Sequence, residues 1–180
     1  VELPSQIMEH WAVEPEVLKL YAKHYETREV IPDELITKIQ NQGTFNQGFM
    51  TTELLAAALL DMELHNLTDT ENLNVVAFEK ETMDKLGLIP EIAPRYRATY
   101  FSHIIGGYAA GYYSYLWAEV LDTDAFEAFK EHGVFDKNTA DSFRKNILEK
   151  GGTEDPMTLY RGFRGADPSL EPLLKNRGLK

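Results

Sequence analysis

Four tyrosines fall within eight residues, Tyr108, Tyr112, Tyr113 and Tyr115, directly after Gly106-Gly107 and shortly after His103. Tyr108, Tyr112 and Tyr115 are spaced i, i+4 and i+7, which on a helix is one face. Buried phenols need hydrogen-bond partners. A stripe of them beside a Gly-Gly turn therefore suits a cleft wall, where the hydroxyls reach a ligand. Glycine at 106 and 107 lets a second backbone come close. The same residues also fit an ordinary core or interface, and His103 alone fits a satisfied core histidine.

Two further stretches carry polar groups at usable spacing. Glu2 and Gln6 lie one helical turn apart, as do Ser5 and Glu9. Pro4 disfavours helical geometry at Leu3, which places the helix start near Pro4. On composition alone Glu2 reads as a solvated acid. Near the other end, Arg161 and Arg164 of Tyr160-Arg161-Gly162-Phe163-Arg164-Gly165 could fork onto an anion or a substrate carboxylate. Ion pairs with the chain's own acids are the competing use. No His-Glu-x-x-His occurs, the five histidines show no metal-ligand spacing, and neither a phosphate loop nor a Gly-x-Ser-x-Gly elbow is present.

The elements that must position these residues read as helices. Pro15 and Pro32 stand where helices begin, and Glu16 to Tyr25 repeats apolar residues at helical spacing. A shorter amphipathic stretch runs from Asp33 to Ile39, and Gly43 and Gly48 break the chain between Asn41 and Phe49. Glu53 to His65, capped by Thr51 or Thr52, is apolar nearly all round and is expected to be buried on most sides. Asn74 to Leu86 is a helix closed by Gly87, and Leu88 to Pro94 a connection. Helices are expected from Ala109 to Leu121, Asp124 to His132, Asn138 to Lys150, Pro156 to Phe163 and Ser169 to Lys175. No alternating strand pattern of useful length and no internal repeat is seen, so the fold class is all-α.

The 180 residues suffice for one domain or for a lobe of something larger, and 43% hydrophobic content allows a sizeable core. The formal charge of -11, with 29 acidic against 18 basic residues, argues against nucleic acid. The absence of cysteine excludes disulfides, thiolate nucleophiles and Cys-based zinc sites. No apolar run approaches the ~18 residues of a membrane span, and no signal peptide is visible. A cytoplasmic or a periplasmic location fits equally. The start at Val1, without Met, leads us to expect a cut through a larger polypeptide.

Longer words go beyond composition. Val1-Glu2-Leu3-Pro4-Ser5-Gln6 followed by Glu9-His10-Trp11 resembles the segment after the His-Glu-x-x-His helix in thimet-oligopeptidase-like zinc peptidases. Phe101-Ser102-His103 through Gly106-Gly107-Tyr108 to Tyr112-Tyr113-Ser114-Tyr115-Leu116-Trp117 is similar to that family's substrate-cleft motif. Phe45-Asn46-Gln47-Gly48-Phe49, Leu54 to Leu60 and Arg161-Gly162-Phe163-Arg164-Gly165 also fit. Glu9-His10-Trp11 and Tyr25-Glu26-Thr27 look closer to the peptidyl-dipeptidase Dcp branch. The resemblance covers essentially the whole chain.

It implies that residues 1–180 form the C-terminal part of a larger helical metallopeptidase's catalytic domain, one expected to hydrolyse short peptides and to release C-terminal dipeptides. Glu2 matches the third zinc ligand; a carboxylate beside two histidines leaves zinc an open fourth position. Ser5 and Glu9, a turn or two further on, are candidates to support it by hydrogen bonding. His103 and Tyr115 match donors to the oxyanion of the tetrahedral intermediate. Tyr108 and Tyr112 match substrate contacts, with Gly106 and Gly107 admitting the peptide backbone. Both zinc histidines and the general base belong to the His-Glu-x-x-His motif that this sequence lacks. One zinc ion is thus expected in the full-length protein, and neither zinc nor activity in this chain alone. The expected partners are short peptides and the rest of the polypeptide, with self-association through orphaned apolar surface. A free-standing helical module that binds peptides or proteins through the tyrosine face is the alternative.

Overall fold

A computed structural model describes residues 1–180 as nine α-helices with no sheet. The chain divides into two compact units, residues 1–45 with 117–180, and residues 46–116. No helix is long and apolar enough to cross a membrane.

In the first unit, α1 (Leu3–Val13), α2 (Pro15–Tyr21) and α3 (Asp33–Gln42) precede α6 (Ser114–His132) from Trp117 onward, α7 (Lys137–Phe143), α8 (Pro156–Arg164) and α9 (Glu171–Asn176). Its core gathers Ile7, Ala125, Phe126, Phe129, Val134, Phe143 and Tyr160. Trp11 meets the rings of Phe126 and Phe129 edge-on at 4.6 Å, and its Nε1 donates to the Val134 carbonyl at 2.8 Å. Such aromatic pairs each add about 0.5–1.5 kcal/mol beyond their buried area.

The helix expected to end at Leu121 and the one expected to begin at Asp124 are a single helix, α6. Asp122, Thr123 and Asp124, at the expected junction, are all buried and satisfied. Asp122 takes His10 Nε2 at 2.6 Å and Gln6 Nε2 at 3.3 Å, which ties two turns of α1 to α6. Burial pushes the Asp122 carboxyl up, and the His10 hydrogen bond pulls it partly back. Thr123 donates to the Glu119 carbonyl at 2.7 Å, and Asp124 accepts the Tyr160 hydroxyl at 2.7 Å. A polar group in a core costs little once it is paired.

The basic residues near the C-terminus are also paired within the chain. Arg164 forks onto Glu131 at 2.9 and 3.2 Å, and Arg161 meets Asp167 at 2.6 Å. The structure thus spends both arginines on ion pairs, not on a converging anion site. Two other expectations in this unit change. The first helix after Pro15 stops at Tyr21, so Tyr25 is not helical. Residues 22–31 instead turn back, with an antiparallel bridge between Lys23 and Val30 and His24 N–H donating to the Glu29 carbonyl at 2.8 Å. The helix expected from Asn138 to Lys150 is α7 followed by a π-helical turn, Arg144–Leu148.

In the second unit, α4 (Gln47–His65) and α5 (Val75–Lys85) pack with the segment that runs through 3-10 turns at Ala98–Tyr100 and Ser102–Ile105. Helix α4 starts earlier than expected, behind Asn46 in the left-handed region at φ 58°. Thr52 is therefore not a cap: its hydroxyl donates back to the Gly48 carbonyl at 2.8 Å, as helix-interior threonines do. Ala56, Ala57, Ala58 and Leu60 are buried, but Leu55, Leu59 and Met62 are exposed. The expectation that α4 is buried on most sides thus fails within this chain, because α5 and the loop ahead of α6 cover only one side. Gly87, at φ +69°, closes α5 as its sequence position requires.

Helices α7 and α8 open on aspartate caps. Asp136 accepts the Thr139 N–H at 2.7 Å and its hydroxyl at 2.8 Å; Asp155 accepts the Thr158 N–H at 2.8 Å and its hydroxyl at 3.1 Å. The backbone bonds, then the hydroxyl bonds, hold both carboxyls below the usual carboxylate range. A depressed acid contributes stability that is fully present above its unfolded pKa, near ~4, and is lost as pH falls through the lower folded value. Asp136→Asn with Asp155→Asn keeps both acceptors and removes the titration. Thermal melts of this variant between about pH 4 and 2 should fall less steeply than those of the parent.

Candidate functional site

The residues singled out in the sequence lie in two places, one in each unit. Glu2 forms the N-cap of α1 with a helical backbone, φ −84° and ψ −6°. Its carboxylate accepts the Ser5 hydroxyl at 2.5 Å, and its carbonyl accepts the Gln6 N–H at 2.9 Å. Pro4 fits this first turn because its missing N–H has no helical partner there. Ser5 thus holds the Glu2 carboxylate by its hydroxyl. Glu9 is exposed and acts on Asp122 by its charge, not on Glu2.

In the second unit the structure gathers His103, Tyr108, Tyr112 and Tyr115 around one point. The His103 ring lies 5.9 Å from Tyr108, 5.3 Å from Tyr112 and 6.1 Å from Tyr115, centroid to centroid. Tyr108 and Tyr115 stack at 5.1 Å with 18° between their planes. They are brought together by turns, not by one helical face: residues 109–113 are not helical, and α6 begins only at Ser114. The backbone steps through Tyr108 N–H to the His103 carbonyl, 3.2 Å, Gly111 N–H to the Tyr108 carbonyl, 2.9 Å, and Ser114 N–H to the Gly111 carbonyl, 3.0 Å. A regular helix cannot form where Ala110 sits at φ +52°.

This geometry separates the tyrosines. Tyr108 and Tyr115 are half-buried and Tyr113 is exposed, whereas Tyr112 is only 3% exposed, packed on Ala57, Ala58, Phe101 and Ile104. Gly106 and Gly107 are exposed, and a Cβ at either would meet nothing within 4 Å. No neighbour in the chain requires glycine there; the two residues leave a bare backbone edge beside the ring cluster. His103 Nδ1 is buried and finds no hydrogen-bond partner. Buried nitrogens are normally satisfied; this one stands in the ring cluster next to the open backbone edge.

Three residues that hold this cluster escaped the sequence reading. Tyr96 stacks on Phe101 at 5.0 Å and tilts against His103 at 4.9 Å. Glu79, buried on α5, accepts the Ala98 N–H at 2.7 Å and pairs with Arg97 at 2.5 Å, fixing the approach to His103. Asp61, with no solvent exposure, accepts the N–H of Ala110 at 2.9 Å and that of Tyr112 at 2.9 Å. The available signal was an acid inside the apolar run from Leu54 to Met62.

No three His, Cys, Asp or Glu side chains converge in a way that could hold a metal ion.

The sequence matches Peptidase family M3 over residues 1–179, and the chain belongs to that family. It is 46% identical to dipeptidyl carboxypeptidase of Escherichia coli over 99% of its own length, and 41% identical to oligopeptidase A of the same organism over 100%. It is 32% identical to saccharolysin of Saccharomyces cerevisiae. The chain spans 27% of the length of the first two relatives and 26% of the third.

Burial, opposed by the charge of Arg95, raises the Tyr112 phenol to about 12. Between pH ~10 and ~12 the unfolded chain gives up this proton while the folded chain keeps it, so stability falls as pH rises through that window. Tyr112→Phe should flatten this alkaline slope in thermal melts taken across the same range.

Proposed function

We propose that this chain carries part of the catalytic centre of a zinc peptidase that cleaves short peptides and, by its likeness to dipeptidyl carboxypeptidase, releases dipeptides from their C-termini. The observation that carries the reading is the cluster of His103, Tyr108 and Tyr115 beside the bare edge of Gly106-Gly107. The membership of the family supports it.

Glu2, oriented by Ser5, supplies the one zinc ligand in these residues, and two histidines from outside them complete the set. A zinc ion held there would supply Lewis-acid polarisation of the scissile carbonyl. The chain's own groups then do the rest. His103 and Tyr115 donate hydrogen bonds to the oxygen on which negative charge develops, where a fixed donor is worth most. The Gly106-Gly107 edge admits an extended peptide, and Tyr108 flanks it. Tyr112, behind the cluster, sets the position of the His103 ring. The exposed apolar residues of α4, Leu55, Leu59 and Met62, offer a face for further polypeptide or for self-association.

The test compares this chain with the full-length protein in zinc content and peptide hydrolysis. Only the full-length protein should bind zinc stoichiometrically and cleave. If the short chain captures peptides without zinc and the longer one hydrolyses nothing, the site is that of a binding module. Two variants of the full-length protein probe the roles. Glu2→Ala should lose most of its zinc, as metal analysis will show; full occupancy removes the ligand assignment. Tyr115→Phe should lower kcat by about 10²- to 10³-fold with little change in KM, because the lost donor serves the developing charge. Unchanged turnover sinks that assignment.

A further inference from the structure

We infer that Asp61 is a positioning residue of the oxyanion site, acting through the backbone of the loop and not on substrate. The inference rests on the roles proposed for His103 and Tyr115.

Asp61 lies on α4 with 0% exposure, 49 residues before Ala110 and 51 before Tyr112. Each of its oxygens takes one loop N–H: Oδ1 that of Ala110 and Oδ2 that of Tyr112, both at 2.9 Å. Between these donors the chain turns through Ala110 at φ +52°. The left-handed region is unfavourable for a residue with a Cβ. The turn therefore needs a hold from outside itself, and the carboxylate provides it. An ionised carboxylate offers two acceptor oxygens and no donor. Asparagine of the same shape keeps one acceptor and sets an NH₂ against the second N–H.

The consequences run forward along the chain. Fixing the Tyr112 N–H seats its ring on Ala57, Ala58 and Phe101 and against the edge of His103. The Tyr112 carbonyl then receives the Tyr115 N–H at 3.3 Å, which sets the first turn of α6 and with it the Tyr115 side chain. Both proposed donors thus take their place from one buried side chain. His65, one turn on, secures the clamp in turn: its Nδ1 lies 2.9 Å from Asp61 Oδ1 and 2.8 Å from the Asp61 carbonyl.

The experiment uses the full-length protein with Asp61→Asn and, as a milder variant that leaves the core side chain in place, His65→Ala. Hydrogen exchange is followed over residues 106–113, alongside kcat, KM and zinc content. Asp61→Asn should speed exchange at Ala110 and Tyr112 by at least ~10-fold and lower kcat by about 10²-fold, the scale of a displaced catalytic group. KM and zinc content should stay near those of the parent, which separates misplacement of the donors from general loss of structure. His65→Ala should move exchange and kcat the same way by a few-fold. Parental exchange in both variants overturns the clamp, and faster exchange with parental kcat overturns the positioning role alone. A parent protein that hydrolyses no peptide overturns the reading of the site, and this inference with it.

Discussion

Two hydrogen bonds from a loop to a carboxylate without access to water organise the tyrosine cluster. Asp61 would be a costly residue in the apolar stretch of α4 if its oxygens were unpaired. Paired with the N–H groups of Ala110 and Tyr112, it converts that cost into a fixed geometry. Removing the carboxylate would orphan the buried Tyr112 N–H, at a cost of roughly 1–3 kcal/mol, and the part-buried Ala110 N–H, at less. That is comparable with the roughly 1–2 kcal/mol cost of a left-handed alanine, so the carboxylate offsets the strain of the turn it holds. The approach of His103 to three tyrosine rings follows from this shape.

The same device recurs along the chain. Glu79 takes the Ala98 N–H and Arg97 below the approach to His103. Asp122 joins α1, the helix capped by Glu2, to α6 through His10 and Gln6. Asp124 takes the Tyr160 hydroxyl and faces Arg164. Elements that bear proposed functional residues are thus registered by buried acids, and the surrounding aromatic and aliphatic side chains supply the stability. Dispersion and burial are non-directional. A hydrogen bond to a carboxylate fixes direction and register, which a site that must place donors against a developing charge requires.

Much of the fold was legible in the residues. The all-helical class, the starts at Pro15 and Pro156 and the close at Gly87 all depend on interactions within a few residues of one another. The N-terminal segment was legible as well, since Glu2 and Ser5 are three residues apart and bond within one turn. The reading failed where distant partners decide. The gap expected between Leu121 and Asp124 is absent because Asp122 and Asp124 find partners, His10 and Tyr160, 112 and 36 residues away. Tyr108, Tyr112 and Tyr115 were assigned to one helical face by their spacing, yet a buried acid some fifty residues upstream holds their loop out of the helix.

The sequence by itself determined the helical class and the family, since local propensity and long motifs need no tertiary partner to be read. It also named the residues that carry the proposed chemistry. Only the tertiary structure decided how those residues are arranged: which tyrosine is buried, which glycine edge stays open, and where the His103 ring rests. Side-chain spacing fixes a face only if the backbone is regular. Here the backbone leaves the helix under the pull of Asp61, which no local pattern around Tyr112 encodes.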